Sequence, residues 1–170
     1  MQAKELYNLF KQHPLICTDT RKVQKGSLFF ALRGENFNGN KFAQKSIEMG
    51  CAYAIIDEEK YQTNERLILV DDVLKSLQEL AKTHREKINT KIIGITGTNG
   101  KTTSKELLFE VLAKKYKTIA TKGNLNNHIG VPLTILTISE ETEFAIIEMG
   151  ANHIGEIKKL CEIAQPNFGI

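Results

Sequence analysis

Short apolar runs alternate along this chain with stretches in which apolar residues recur every three or four positions. Ser27–Leu32 (SLFFAL), Ala52–Ile56 (AYAII) and Leu67–Val70 (LILV) each read as a buried strand. Lys41–Met49 puts Phe42, Ala43 and Ile47 on one side and predicts a short helix, with Gly50 placed to end it. Asp71 or Asp72 then caps a helix whose apolar face is Val73, Leu77, Leu80, Ala81 and His84. From Arg85 to Lys91 the chain turns polar (REKINTK) and reads as a linker, so two domains are expected, 1–85 and 86–170.

The second part repeats the alternation. Ile92–Thr96 predicts a strand, followed by a glycine-bearing loop and a helix from about Lys101 to Lys115, with Leu107, Leu108, Val111 and Leu112 at helical spacing. Thr118–Thr121 is a short strand, a polar Gly-Asn loop follows, and Pro132 falls in the first turn of a brief helix, where its missing N–H costs nothing. Phe144–Glu148 (FAIIE) is a buried strand that ends in an acid, His153–Ala164 is a helix, and Pro166–Ile170 opens another strand. Strands alternating with helices imply an α/β fold with a mostly parallel sheet. A chain that stops as a strand begins is expected to be a fragment of a longer one.

Composition narrows the function classes. At 41% hydrophobic and 25% charged the chain can bury a core, which excludes disorder and collagen-like structure. No apolar run approaches the roughly 18 residues that a membrane span needs. A net charge of +3, with no concentrated basic segment, offers no groove for nucleic acid or an anionic membrane. Cys17, Cys51 and Cys161 are odd in number and widely spaced, so they read as small core residues of a protein in a reducing cytoplasm.

The strongest chemical signal is Gly97-Thr98-Asn99-Gly100-Lys101-Thr102-Thr103, set between an apolar strand and an amphipathic helix. Glycines let backbone N–H groups turn around an anion, and the helix directs its positive end to the same place. Lys101 is placed to neutralise the β- and γ-phosphates of a nucleotide, and the Thr102 hydroxyl to reach a magnesium ion. The loop is the short G-x-x-G-K-T form, because Ile95 stands where the longer pattern has its first glycine. Glu148 is the second element: an acid at the end of an apolar strand either meets a cation such as Mg²⁺ or caps the following turn.

Thr96–Thr103 (TGTNGKTT) resembles the ATP loop of the Mur ligases, which build the peptide stem of bacterial cell-wall precursors. Gly123–Pro132 (GNLNNHIGVP) and Glu148–Ile157 (EMGANHIGEI) are most similar to the branch that joins D-alanyl-D-alanine to UDP-N-acetylmuramoyl-tripeptide. Thr18–Gly34 is similar to that branch's uridine-nucleotide-binding domain, so the resemblance runs in family order from Thr18 to the last residue. It implies a small uridine-nucleotide-binding α/β domain followed by the first part of a P-loop ATPase-type domain. It further implies ATP and Mg²⁺ as cofactors, those two substrates as partners, and action as a monomer through an acyl-phosphate intermediate.

Carried over position by position, the resemblance assigns Gly97, Thr98, Asn99, Gly100, Lys101, Thr102 and Thr103 to ATP, and Thr102 and Glu148 to the metal. Lys101 and Glu148 become the catalytic pair. Asn124, Asn126 and Asn127 hydrogen-bond the precursor or line the route to the γ-phosphate. Asp19, Thr20, Arg21, Leu32, Arg33 and Gly34 meet the uridine diphosphate, although Arg21 and Arg33 equally suit surface ion pairs. His153 either reaches the metal or starts a helix, and Asn40 stands where relatives tend to carry a histidine. The family places its remaining metal histidine, a carbamylated lysine and a closing domain beyond Ile170, so these 170 residues are not expected to ligate alone. Another amide ligase of the superfamily, or a nucleotide-binding module without ligase chemistry, remains a competing reading.

Overall fold

A four-stranded parallel sheet lies at the heart of each of two units, Met1–Leu80 and Ala81–Ile170. The computed structural model describes residues 3–170. Among them no helix is long and apolar enough to cross a membrane.

The first unit begins with helix α1 (Ala3–Gln12), which carries Leu6 and Phe10, both buried and one turn apart. Its sheet holds β1 (Ile16–Cys17), β2 (Leu28–Phe30), β5 (Tyr53–Ile56) and β6 (Leu67–Leu69) in that order, all parallel. A hairpin of β3 (Arg33–Gly34) and β4 (Phe37–Asn38) interrupts the alternation. Gly39 follows it because a Cβ there would lie 2.5 Å from the Leu32 carbonyl oxygen. Helix α2 (Ala43–Glu48) buries Ala43 and Ile47 against Phe29, Ala54 and Ile56. Cys17 and Cys51 are buried free thiols, and burial pushes the Cys17 thiol up from its ordinary value.

Helix α3 (Val73–Arg85) carries the chain from one unit into the next. Asp72 caps it by accepting the Lys75 N–H at 2.8 Å, and the whole expected face from Val73 to His84 is buried. The stretch expected to be a polar linker is different at its first residue. Arg85 is 9% exposed and acts as a staple of the second unit. Its guanidinium donates to the Ala164 and Gln165 carbonyls at the end of a later helix, to the Thr90 carbonyl, and to the Asn167 side chain. A charged residue is polar by composition, but five donors in a fork can satisfy a cluster of buried carbonyls.

The second sheet runs β10 (Phe168–Gly169), β7 (Lys91–Ile95), β9 (Phe144–Glu148) and β8 (Thr118–Ala120), again all parallel. Helices α4 (Lys101–Leu112), α5 (Gly130–Ile135) and α6 (Glu156–Ala164) complete the unit. Strands flanked by helices are covered on both faces, which is why β7 and β9 are near-continuous isoleucine runs. The apolar face expected on α4 divides. Leu108 and Leu112 pack on Ile93, Ile95 and Ile146, whereas Leu107 and Val111 are 65% and 69% exposed. Helix α6 begins three residues later than the sequence pattern implies. The Glu156 carboxylate reaches back to the Asn152 and His153 N–H groups, and Gly155 adopts a left-handed φ of 89°.

Candidate functional site

The carboxyl ends of β7, β8 and β9 open on one place, which is where parallel α/β sheets hold ligands. After β7 the exposed loop Thr96–Gly100 turns into α4, with Gly100 at φ 78° in the left-handed region at the position that precedes the helix. The first N–H groups of α4 have no intrahelical acceptor and carry the positive end of its dipole. Lys101 folds back over the loop and donates to the Gly97 carbonyl at 2.8 Å.

Glu148 ends β9 at 2% exposure and is bonded from two sides. Thr102 Oγ1 donates to its Oε2 at 3.0 Å, and Asn126 Nδ2 donates to its Oε1 at 2.9 Å. Its own N–H donates to Thr121 Oγ1 at 2.9 Å, just past the end of β8. Neighbouring oxygens in an octahedral Mg²⁺ shell of 2.0–2.1 Å bonds lie about 2.9 Å apart. The Thr102–Glu148 oxygen pair therefore has the spacing and the hard-donor chemistry that such a cation needs. Among the described residues no three His, Cys, Asp or Glu side chains gather at a metal-binding spacing. An octahedral Mg²⁺ ion takes one or two carboxylates and completes its shell with water and phosphate oxygens.

Lys105 is the residue that the sequence pattern did not single out. It is 1% exposed, and its ammonium donates to the Thr121 carbonyl at 2.7 Å while lying 4.0 Å from Glu148 Oε2. Its signal was positional: it occupies the stripe of Leu108 and Leu112, where an apolar residue belongs.

The three asparagines separate in role. Asn126 alone reaches Glu148, and its backbone carbonyl also accepts the Gly150 N–H. Asn127 accepts the Ile129 and Gly130 N–H groups at the start of α5, and Asn124 is exposed. Gly130 must be glycine because a Cβ would lie 2.3 Å from the Leu125 backbone. His153 is exposed on the turn before α6, bonded through its N–H to Glu156 rather than to the Glu148 cluster.

In the first unit a cavity of about 600 Å³ is lined by Asp19, Thr20, Arg21, Phe37, Phe42 and Lys45 among others. Phe37 and Phe42 stack with ring planes 9° apart. Asp19 caps a short 3₁₀ turn (Thr20–Lys22) and pairs with Arg21 at 2.7 Å, and those hydrogen bonds hold its carboxyl down at about 2. Leu32, Arg33 and Gly34 are not among the lining residues. Arg33 instead pairs with Asp57 at 3.4 Å and Glu58 at 3.8 Å. Asn40 is buried, donating to Asn38 and Asp57 and accepting the Asp57 N–H.

Comparison with known proteins agrees with this layout. Residues 14–85 match the model described as Mur ligase family, catalytic domain, and residues 95–170 match the Mur ligase middle domain. The chain is 43% identical over 157 residues to the UDP-N-acetylmuramoyl-tripeptide–D-alanyl-D-alanine ligase of Bacillus subtilis, covering 91% of this chain and 34% of that protein. It superposes on a crystal structure of MurF from Acinetobacter baumannii with a TM-score of 0.86 and 33% identity, over 99% of this chain and 40% of that one. For MurF ligase from Thermotoga maritima in complex with ADP the TM-score is 0.81 at 31% identity, over 91% of this chain and 36% of that one. The chain thus spans little more than a third of the length of the relatives that it matches. With the two family models in chain order over most of its length, and a fold that superposes on those solved structures, this chain belongs to the Mur ligase family.

Proposed function

We propose that this chain is the nucleotide-handling part of a ligase that joins D-alanyl-D-alanine to UDP-N-acetylmuramoyl-tripeptide in the bacterial cytoplasm. The reading rests above all on the Thr102–Glu148–Asn126 cluster beside the phosphate loop. In the proposed reaction a carboxylate oxygen of the tripeptide attacks the γ-phosphorus of ATP, giving an acyl phosphate and ADP. The dipeptide amine then attacks the acyl carbon, phosphate leaves, and the nitrogen loses a proton.

Gly97, Thr98, Asn99, Gly100 and Thr103 supply backbone N–H groups and helix polarity to the phosphates. Lys101 exchanges the Gly97 carbonyl for a phosphate oxygen. Thr102 Oγ1 and a Glu148 oxygen are the groups that would hold Mg²⁺, which when bound neutralises charge on the transferring phosphoryl group. Asn126 keeps the Glu148 carboxylate from rotating. Asp19, Thr20 and Arg21, at the cavity of the first unit, are the groups proposed to meet the uridine diphosphate. The stacked Phe37 and Phe42 offer a flat apolar surface to a base.

Calorimetry with ATP and Mg²⁺ tests the proposal. Glu148→Gln preserves shape and removes charge, so nucleotide binding should persist while the Mg²⁺ concentration that supports it rises roughly tenfold, as expected when one charged ligand is lost. An unaltered magnesium titration would return Glu148 to a role in the turn after β9.

A further inference from the structure

An ammonium group at 1% exposure is costly unless something nearby carries the opposite charge. Lys105 has two carboxylates within reach: Glu106, at 2.9 Å but 61% exposed, and Glu148, at 4.0 Å and 2% exposed. Water and salt screen the first, so the buried Glu148 is the partner whose charge Lys105 chiefly balances. Lys105 also donates to the Thr121 carbonyl, and the Thr121 hydroxyl in turn accepts the Glu148 N–H. One side chain on α4 thus ties down the end of β8 and faces the acid that ends β9.

From this geometry we infer that Lys105 is a positioning residue that makes cation binding at Glu148 conditional on nucleotide. The inference rests on the proposed role of Glu148. With Lys105 in place, the buried carboxylate is already neutralised and hydrogen-bonded, so a bare divalent cation gains little by approaching it. Phosphate oxygens arriving at the loop add the negative charge that makes the cation welcome. Lys105 thereby keeps Glu148 ordered before loading and discourages premature occupation by free metal.

The test is Mn²⁺ binding to the 170-residue chain, read by electron paramagnetic resonance with and without ADP. Lys105→Gln keeps a donor for the Thr121 carbonyl and loses the charge; Lys105→Met, of similar length, is the second neutral variant. Either one, shown folded by its amide spectrum, should bind Mn²⁺ without nucleotide at least about tenfold more tightly, because the unit charge removed lies beside a buried carboxylate and is little screened. Lys105→Arg should behave like the unsubstituted chain, and adding Glu148→Gln should erase the gain. Unchanged nucleotide-free affinity in a folded neutral variant would overturn the inference, as would a gain that survives Glu148→Gln. Failure of the unsubstituted chain to bind ADP would instead count against the proposed function, and the nucleotide-free comparison would still judge Lys105.

Discussion

The two units share a four-stranded parallel sheet but prepare their candidate sites in opposite ways. The second gathers small, preformed contacts: a loop that bonds its own lysine, and a buried acid held by a threonine, an asparagine and a lysine. The first offers room, a cavity of about 600 Å³ edged by stacked aromatic rings and by an ion pair at the surface. Phosphate is small and charged, so fixed donors hold it; a base and sugar need concave apolar surface. Parallel architecture supplies the strand ends, and the connections decide which kind of ligand each unit suits.

The largest expected effect tests whether the units are separable. Arg85→Met leaves several buried carbonyls without a donor, at roughly 1–3 kcal/mol each before relaxation, so the second unit should lose about 2–4 kcal/mol. Hydrogen exchange should then quicken in β7 and β10 while β2 and β5 keep their protection. Equal loss in both sheets would mean that the units unfold together. Next, Lys101→Ala removes a charge-assisted contact of about 1.5–3 kcal/mol and should weaken ATP binding tenfold to a hundredfold. Calorimetry showing no change would remove the phosphate loop from the comparison.

A smaller effect belongs to the cavity. Titration with UDP should shift the amide signals of Asp19, Arg21, Phe42 and Lys45. Phe42→Ala, which loses a stacking surface worth about 0.5–1.5 kcal/mol, should weaken UDP roughly threefold to tenfold. Shifts confined to residues 97–103 would leave the molecule with one nucleotide site. The smallest effect is electrostatic. The Asp19 carboxyl lies at about 2 against an ordinary 3.8, so its pairing with Arg21 is complete above the ordinary value and is lost as pH falls through about 2. Arg21→Ala should return Asp19 towards 3.8 in a carboxyl-carbon NMR titration; a value that stays near 2 would assign the depression to the turn backbone.

The strands were the most legible part of the fold because those buried on both faces leave unbroken apolar runs, and Phe144–Glu148 has the same bounds in the structure as in the sequence. Helix α4 was harder. Pattern counts a leucine as inward and a lysine as outward, yet Leu107 is exposed and Lys105 is buried. The choice was made by Glu148 and Thr121, which are distant in sequence. Arg85 misled for the same reason, since the Ala164, Gln165 and Asn167 acceptors that bury it lie about 80 residues on. The strand, glycine-bearing loop and helix of residues 91–112 were readable because their parts are contiguous. The cavity was less so: Asp19–Arg21 line it and Leu32–Gly34 do not, while Phe37, on the strand paired with Gly34, lines it together with Phe42 and Lys45. Asn127 carried no mark in sequence to separate a capping residue from a ligand-facing one.

Lys101 resting on the Gly97 carbonyl also bears on how fast the loop can be filled. Its acceptor belongs to the loop itself, so under the proposed function releasing Lys101 for a phosphate would need only the swing of one side chain. Rotations of that kind take picoseconds to nanoseconds, far shorter than the interval between productive encounters. Nucleotide association with this loop should therefore run at a collision-limited pace, and differences in affinity among its variants should be carried by how long the nucleotide stays.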